Sequence, residues 1–90
     1  MGSGIFEIEF TELAILHLQF WHKSGQKNLI KKIGELIESI RETPTSGIGK
    51  PELLKHQLAG KYSRRINQEH RIIYEIIGDT VYIFSLKGYY

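Results

Sequence analysis

Cysteine is absent from this chain, which excludes a disulfide framework and a thiolate metal centre. That absence suits a reducing compartment, and the cytoplasm is the expected location. No apolar run approaches the length of a membrane span, so no membrane partner is expected. No basic segment leading into a short apolar run marks a secretion signal. The opening Met-Gly-Ser-Gly reads as a natural start or as a cloning remnant. Proline occurs only twice, both copies falling within residues 42–51. Internal repeats and low-complexity segments are also missing.

What is present suffices for one domain spanning 1–90. Hydrophobic residues make up 41% and aromatics 11%, enough to collapse into a globule, so global disorder is excluded. The net charge is only +2, but it is unevenly spread. Residues 1–42 hold five Lys or Arg against six Asp or Glu, and residues 43–90 hold seven against four, so the halves net −1 and +3. Six bases lie within 50–71 (Lys50, Lys55, Lys61, Arg64, Arg65 and Arg71), with Glu52 and Glu69 as the acids there. A local basic patch is an electrostatic footprint for an anion, nucleic acid foremost. It is also what an ordinary solvated face looks like.

Ile5, Phe6, Ile8 and Phe10, with Glu7 and Glu9 between them, predict a short strand over 5–10 with one wet face. Thr11 is a cap for a helix over 12–23, whose density of Leu13, Ile15, Leu16, Leu18, Phe20 and Trp21 predicts a broad buried surface. Gly25 breaks that helix. Leu29, Ile30, Ile33, Leu36, Ile37 and Ile40 draw one apolar stripe along a second helix over 27–42, so the two helices read as an antiparallel hairpin. Residues 42–51 form a loop. Strands follow near 52–58, 61–67, 71–77 and 80–86, the last three as an antiparallel meander. The fold class is α+β, with the helices layered on one face of a sheet and the other face left open. Alternation puts Tyr62, Arg64 and Ile66 on one side of the 61–67 strand and Ser63, Arg65 and Asn67 on the other. One arginine therefore reaches the open face; which one depends on register.

The four histidines, His17, His22, His56 and His70, lack close ligand spacing, so no metal or other cofactor is expected. The stretch "GIGKPE" has Gly-x-Gly but neither the Lys-Ser/Thr nor the strand-to-helix setting of a phosphate loop. No nucleophile elbow is present. What remains is an acid, several bases and aromatics: Glu52, Lys55, His56, Arg64, Arg65, His70, Arg71, Tyr89 and Tyr90. Cleaving a phosphodiester needs a group that takes a proton from the attacking hydroxyl, cations for the charge on the phosphoryl oxygens, and a donor for the leaving oxygen. RNA supplies its own nucleophile in the 2′-hydroxyl, so no metal is obligatory. By residue type alone, Glu52 is equally a surface carboxylate, and Arg71 equally a structural partner of Glu69 or Glu75.

The stretch "GKPELLKHQLAGKYSRRINQEHRIIY", with "KKIGELIESIRETP" before it and "SLKGYY" at the end, resembles the YoeB/Txe toxins of the RelE/ParE toxin superfamily. The likeness covers most of the chain from about residue 27. It implies a toxin of a type II toxin–antitoxin module with a RelE/YoeB-like microbial RNase fold. Such a toxin occupies the ribosomal A site and cuts mRNA there by 2′-hydroxyl attack, inhibiting translation. The implied roles are Glu52 as general base, Arg71 as stabiliser of the phosphorane, and Lys55 and Arg65 as phosphate ligands. His56 and Arg64 would assist RNA contact, and Tyr90 would shape the site. Implied partners are the ribosome, mRNA and a YefM/Axe-like antitoxin whose flexible C-terminal segment wraps the toxin; a homodimer is compatible with the pattern. One position departs, because the family usually ends in His-Tyr, with the histidine as general acid, and here that place is held by Tyr89. A histidine pKa near 6.5 against a tyrosine pKa near 10 is worth about 5 kcal/mol in proton-donating tendency, only part of which enters the barrier. Tyr89 is then a slower acid, or the change attenuates cleavage and leaves a binding module for antitoxin or ribosome. The superfamily's gyrase-inhibiting branch lacks the nuclease site, and Glu52 with Arg71 argues against it.

Overall fold

A computed structural model of the protein describes residues 5–88. The Met-Gly-Ser-Gly start and the two terminal tyrosines, Tyr89 and Tyr90, lie outside the described residues. The elements run β1 (Glu7–Phe10), α1 (Glu12–Ser24), α2 (Lys27–Glu42), β2 (Glu52–Leu53), a 3-10 turn (His56–Leu58), β3 (Lys61–Arg65), β4 (Arg71–Ile77) and β5 (Thr80–Ser85). One mixed sheet has the order β1-β5-β4-β3-β2. β1 is parallel to β5, and the other pairs are antiparallel. No helix among the described residues is long and apolar enough to cross a membrane.

Local chemistry sets the helix limits. Thr11 Oγ1 accepts from the Ala14 N–H at 3.2 Å and caps α1; Glu12 sits in the first turn and His22 and Lys23 in the last, each favourable to the helix dipole. Gly25, at φ 72°, ends the helix in the left-handed region that glycine enters without penalty. The α2 stripe buries Ile33, Leu36 and Ile40. These pack with Ala14 and Trp21 of α1 and with Ile66, Ile72, Tyr74, Val81, Ile83 and Leu86 into one core.

Two expectations are corrected. α1 buries only Ala14 and Trp21, while Leu13, Leu16 and Phe20 stay 51%, 59% and 48% exposed. A helix lying on one layer offers the core a stripe, not its circumference. The strand expected over 52–58 is two residues long. β2 is an edge strand, and after the Leu54 N–H bonds the Lys61 carbonyl at 2.8 Å the chain leaves the sheet for the 3-10 turn, with His56 at φ 63°.

Register decides which side chains share a face. Opposed residues of adjacent strands point the same way, so Tyr62 with Tyr74, and Tyr74 with Ile83, face the helices. Ser63 with Ile73, Arg65 with Arg71, and Glu75 with Tyr82 face away.

Candidate functional site

On the face away from the helices, Glu52 pairs with Ser63, and two residues further along Arg65 pairs with Arg71. Three strands thus bring one carboxylate and two guanidinium groups together from positions far apart in the chain. Arg71 Nη1 lies 3.7 Å from Glu52 Oε1, and their side chains are 13% and 61% exposed. The arginine is seated in the sheet and the carboxylate stands on the rim. Arg71 takes Glu52 rather than Glu69 or Glu75: Glu75 faces Lys61 at 3.8 Å and Glu69 lies 4.0 Å from His70 Nε2. At 3.7 Å the pair is an electrostatic contact longer than a strong charge-assisted hydrogen bond. The carboxylate therefore keeps lone pairs for a proton arriving from solvent. Ser63, directly opposite Glu52, is fully buried; sequence reasoning gave it no role, and only the strand pairing shows that it backs the carboxylate.

Lys55 and His56 are exposed and line a shallow pocket of 340 Å³ with Glu52, Leu53 and Leu54. Two non-glycine residues with positive φ, Lys50 at 54° and His56 at 63°, bracket this segment. Each holds a conformation that an L-residue adopts at a cost of about 1–2 kcal/mol, as is common where a loop presents functional groups. A more apolar groove of 590 Å³, whose lining includes Leu13, Leu58, Lys61, Ile73 and Phe84, adjoins on the same side. Lys61 Nζ sits 4.9 Å from the centre of the Phe84 ring. The face away from the helices is therefore walled by the 3-10 turn and the start of α1.

Arg64 is a correction to the expected phosphate ligands, because it is fully buried on the helix side. Its Nε donates to Tyr74 Oη at 3.0 Å. Nη1 donates to Ser39 Oγ and the Ile48 carbonyl at 2.7 and 3.1 Å. Nη2 donates to the carbonyls of Thr43 and Ser46 at 2.5 and 2.7 Å. All five N–H donors of a guanidinium are thus used, and none is left for RNA. Tyr74 Oη in turn donates to the Pro44 carbonyl at 2.6 Å. Burial pushes the Tyr74 phenol pKa up, against the opposing pull of the Arg64 charge. Arg64 therefore wraps loop 43–49 around itself. Because the Arg65 N–H bonds the Gly49 carbonyl at 2.7 Å, the wrapped loop delivers the chain to β2 and Glu52.

His70 also has a structural setting. Its ring meets Trp21 edge-on at 4.8 Å, and its Nδ1 accepts from the Gly88 N–H at 2.8 Å. Gly88 returns a bond through its carbonyl to the Arg71 N–H at 3.1 Å. The residue preceding Tyr89 is thereby registered against the residue that pairs with Glu52. Of the six bases in 50–71, Arg64 is internal, Lys61 is occupied by Glu75 and Phe84, and Arg71 by Glu52. Exposed positive charge is left to Lys50, Lys55 and Arg65.

A small α+β domain with two helices on one face of a five-stranded sheet, and an acid and two arginines on the other, is a toxin architecture. Solved structures share the fold even at 13% identity, as in YafQ of Escherichia coli with a TM-score of 0.74. The sequence family described as the YoeB-like toxins of bacterial type II toxin–antitoxin systems matches residues 10–90, and the chain belongs to that family. Toxin YoeB of Synechocystis is 45% identical over 93% of this chain and 96% of its own. Toxin YoeB of Escherichia coli K12 is 45% identical over 79% of this chain and 83% of its own. The toxin in the Staphylococcus aureus YoeB–YefM heterotetramer is 41% identical, covers 94% of this chain and 98% of its own, and superposes with a TM-score of 0.82.

Proposed function

We propose that this toxin is a metal-independent, ribosome-dependent endoribonuclease that cuts mRNA by 2′-hydroxyl attack. The observation that carries the reading is the Glu52–Arg71 contact at 3.7 Å with Arg65 opposite Arg71 in the register. Glu52 takes the 2′-hydroxyl proton. The freed oxygen attacks the adjacent phosphorus, and negative charge builds on the non-bridging oxygens. Arg71 meets that charge from the sheet and Arg65 from the surface, while Lys55 holds a flanking phosphate. Tyr89 gives a proton to the departing 5′-oxygen, and a 2′,3′-cyclic phosphate is left. The phenol keeps its proton at neutral pH and transfers it late, so the step is slower than with a histidine. His56 and Tyr90 border this chemistry as RNA contacts.

In a type II module the partner is an antitoxin of the kind in the YoeB–YefM complex, acting in the cytoplasm. An acidic and apolar antitoxin segment suits a surface that sets Arg65 and Lys55 beside an apolar groove. The deciding experiment is toeprinting on programmed ribosomes. A new cut within the A-site codon, accelerated by Tyr89→His, supports the enzyme. Stalled ribosomes with intact mRNA mark a binding module instead, and an unchanged rate in Tyr89→His removes Tyr89 as the acid.

A further inference from the structure

β5 ends at Ser85, and beyond it the backbone is held largely by side chains. The Leu86 N–H donates to His17 Nδ1 at 3.0 Å, and the Leu86 carbonyl accepts from Trp21 Nε1 at 2.9 Å. Two residues on, the Gly88 N–H donates to His70 Nδ1 at 2.8 Å, and Trp21 packs edge-on against that same imidazole. Both tethers on an amide hydrogen use a ring nitrogen as acceptor. An imidazole can accept there only when Nδ1 carries no proton, which requires the neutral ring protonated at Nε2. Protonating either ring would aim an N–H at an N–H and turn an attraction into a repulsion.

We propose that His17, Trp21 and His70 are positioning residues that clamp residues 86–88 through two neutral imidazoles, so that register between the chain end and Arg71 depends on pH. The purpose of the clamp, though not its existence, rests on the nuclease reading above, in which the residues after Gly88 serve the site. The charged group facing His17 is Lys87, and the one facing His70 is Glu69, on the Nε2 side. Burial, and secondarily Lys87, hold the His17 pKa below the ordinary histidine value. A depressed pKa means that folding disfavours the protonated ring. The His17 tether is therefore complete above the ordinary histidine range and is lost as pH falls through the lowered value. Of these four residues only Lys87 is strongly exposed to solvent outside a turn, so added salt weakens its effect on His17 while leaving both hydrogen bonds in place.

The test uses the full chain and amide hydrogen exchange read by NMR. Between about pH 7.5 and about pH 5, protection factors at Leu86 and Gly88 should fall about tenfold or more while β4 amides hold theirs. Asparagine places an amide oxygen near the Nδ1 position without titrating, so His17→Asn with His70→Asn should keep the two amides protected at both pH values. The nitrogen-15 shifts of wild-type His17 and His70 give a readout that no folding failure of a variant can obscure: both should be Nε2-protonated and neutral near pH 7.5. Protection that persists unchanged to pH 5, or either ring carrying its proton on Nδ1, overturns the clamp. Exchange that behaves as expected while single-turnover cleavage ignores the asparagine pair leaves the clamp standing and removes the chemical role assigned to the tail.

Discussion

Arg64 and Arg65 are chain neighbours with opposite fates. A strand turns successive side chains to opposite faces, so one guanidinium is sealed against five acceptors and the other meets solvent. Substitution should separate them cleanly. Lysine has three donors where arginine has five, so Arg64→Lys strands at least two acceptors. A loss of about 3 kcal/mol or more in urea unfolding is expected. Arg65→Lys should leave stability within about 0.5 kcal/mol while weakening RNA binding. Equal midpoints for the two variants would show that the internal network carries no energy. Glu52→Gln and Arg71→Ala should each cost about a hundredfold or more in single-turnover cleavage. Glu52→Gln should change stability little, because a rim carboxylate 61% exposed contributes at most about 1 kcal/mol through its ion pair.

The element that decides the site's shape is loop 43–51, whose role the sequence hinted at only through its length. It is anchored from inside by Arg64 and leaves no room at Gly49. A Cβ there would come within 2.5 Å of Leu36 Cδ2 and 3.2 Å of the Arg65 carbonyl, at φ 83°. Gly49→Ala should therefore cost about 2 kcal/mol or more, since it combines overpacking with a left-handed backbone. The same substitution should slow cleavage, because the path to Glu52 is displaced. A thermal melt together with a cleavage time course checks both, and an unperturbed melt would mean that the loop is not held as tightly as its contacts suggest. The strand expected over 52–58 belongs to this scale as well. Apolar residues there suggested continuous pairing, but an edge strand has one neighbour, and Leu54 is the last residue to use it.

Across the whole molecule, charge is sorted by strand. Glu7 and Glu9 extend from β1 at one edge on the same face that carries Arg65 and Arg71 near the other. An incoming polyanion is thus directed to the β2–β3–β4 end of the sheet. Ribosome or RNA affinity should fall with salt, and Arg65→Ala should lower the slope of log K against log salt by about one while weakening all sequences alike. Filter binding across a salt series measures this, and an unchanged slope would place Arg65 outside the phosphate contacts.

The α2 stripe, the Thr11 and Gly25 helix limits and the β3–β4–β5 meander were legible in the sequence because each rests on periodicity or on one residue's local preference. The motifs shared with the toxin family named the residues to follow. Three matters belonged to the tertiary structure: which arginine lies inside, which acid Arg71 meets, and how His17, Trp21 and His70 grip the chain end. Each depends on register and on contacts between residues up to 69 positions apart. A linear pattern records which face a side chain takes only after the strand's partner is known, and that partner is chosen by packing the whole core at once.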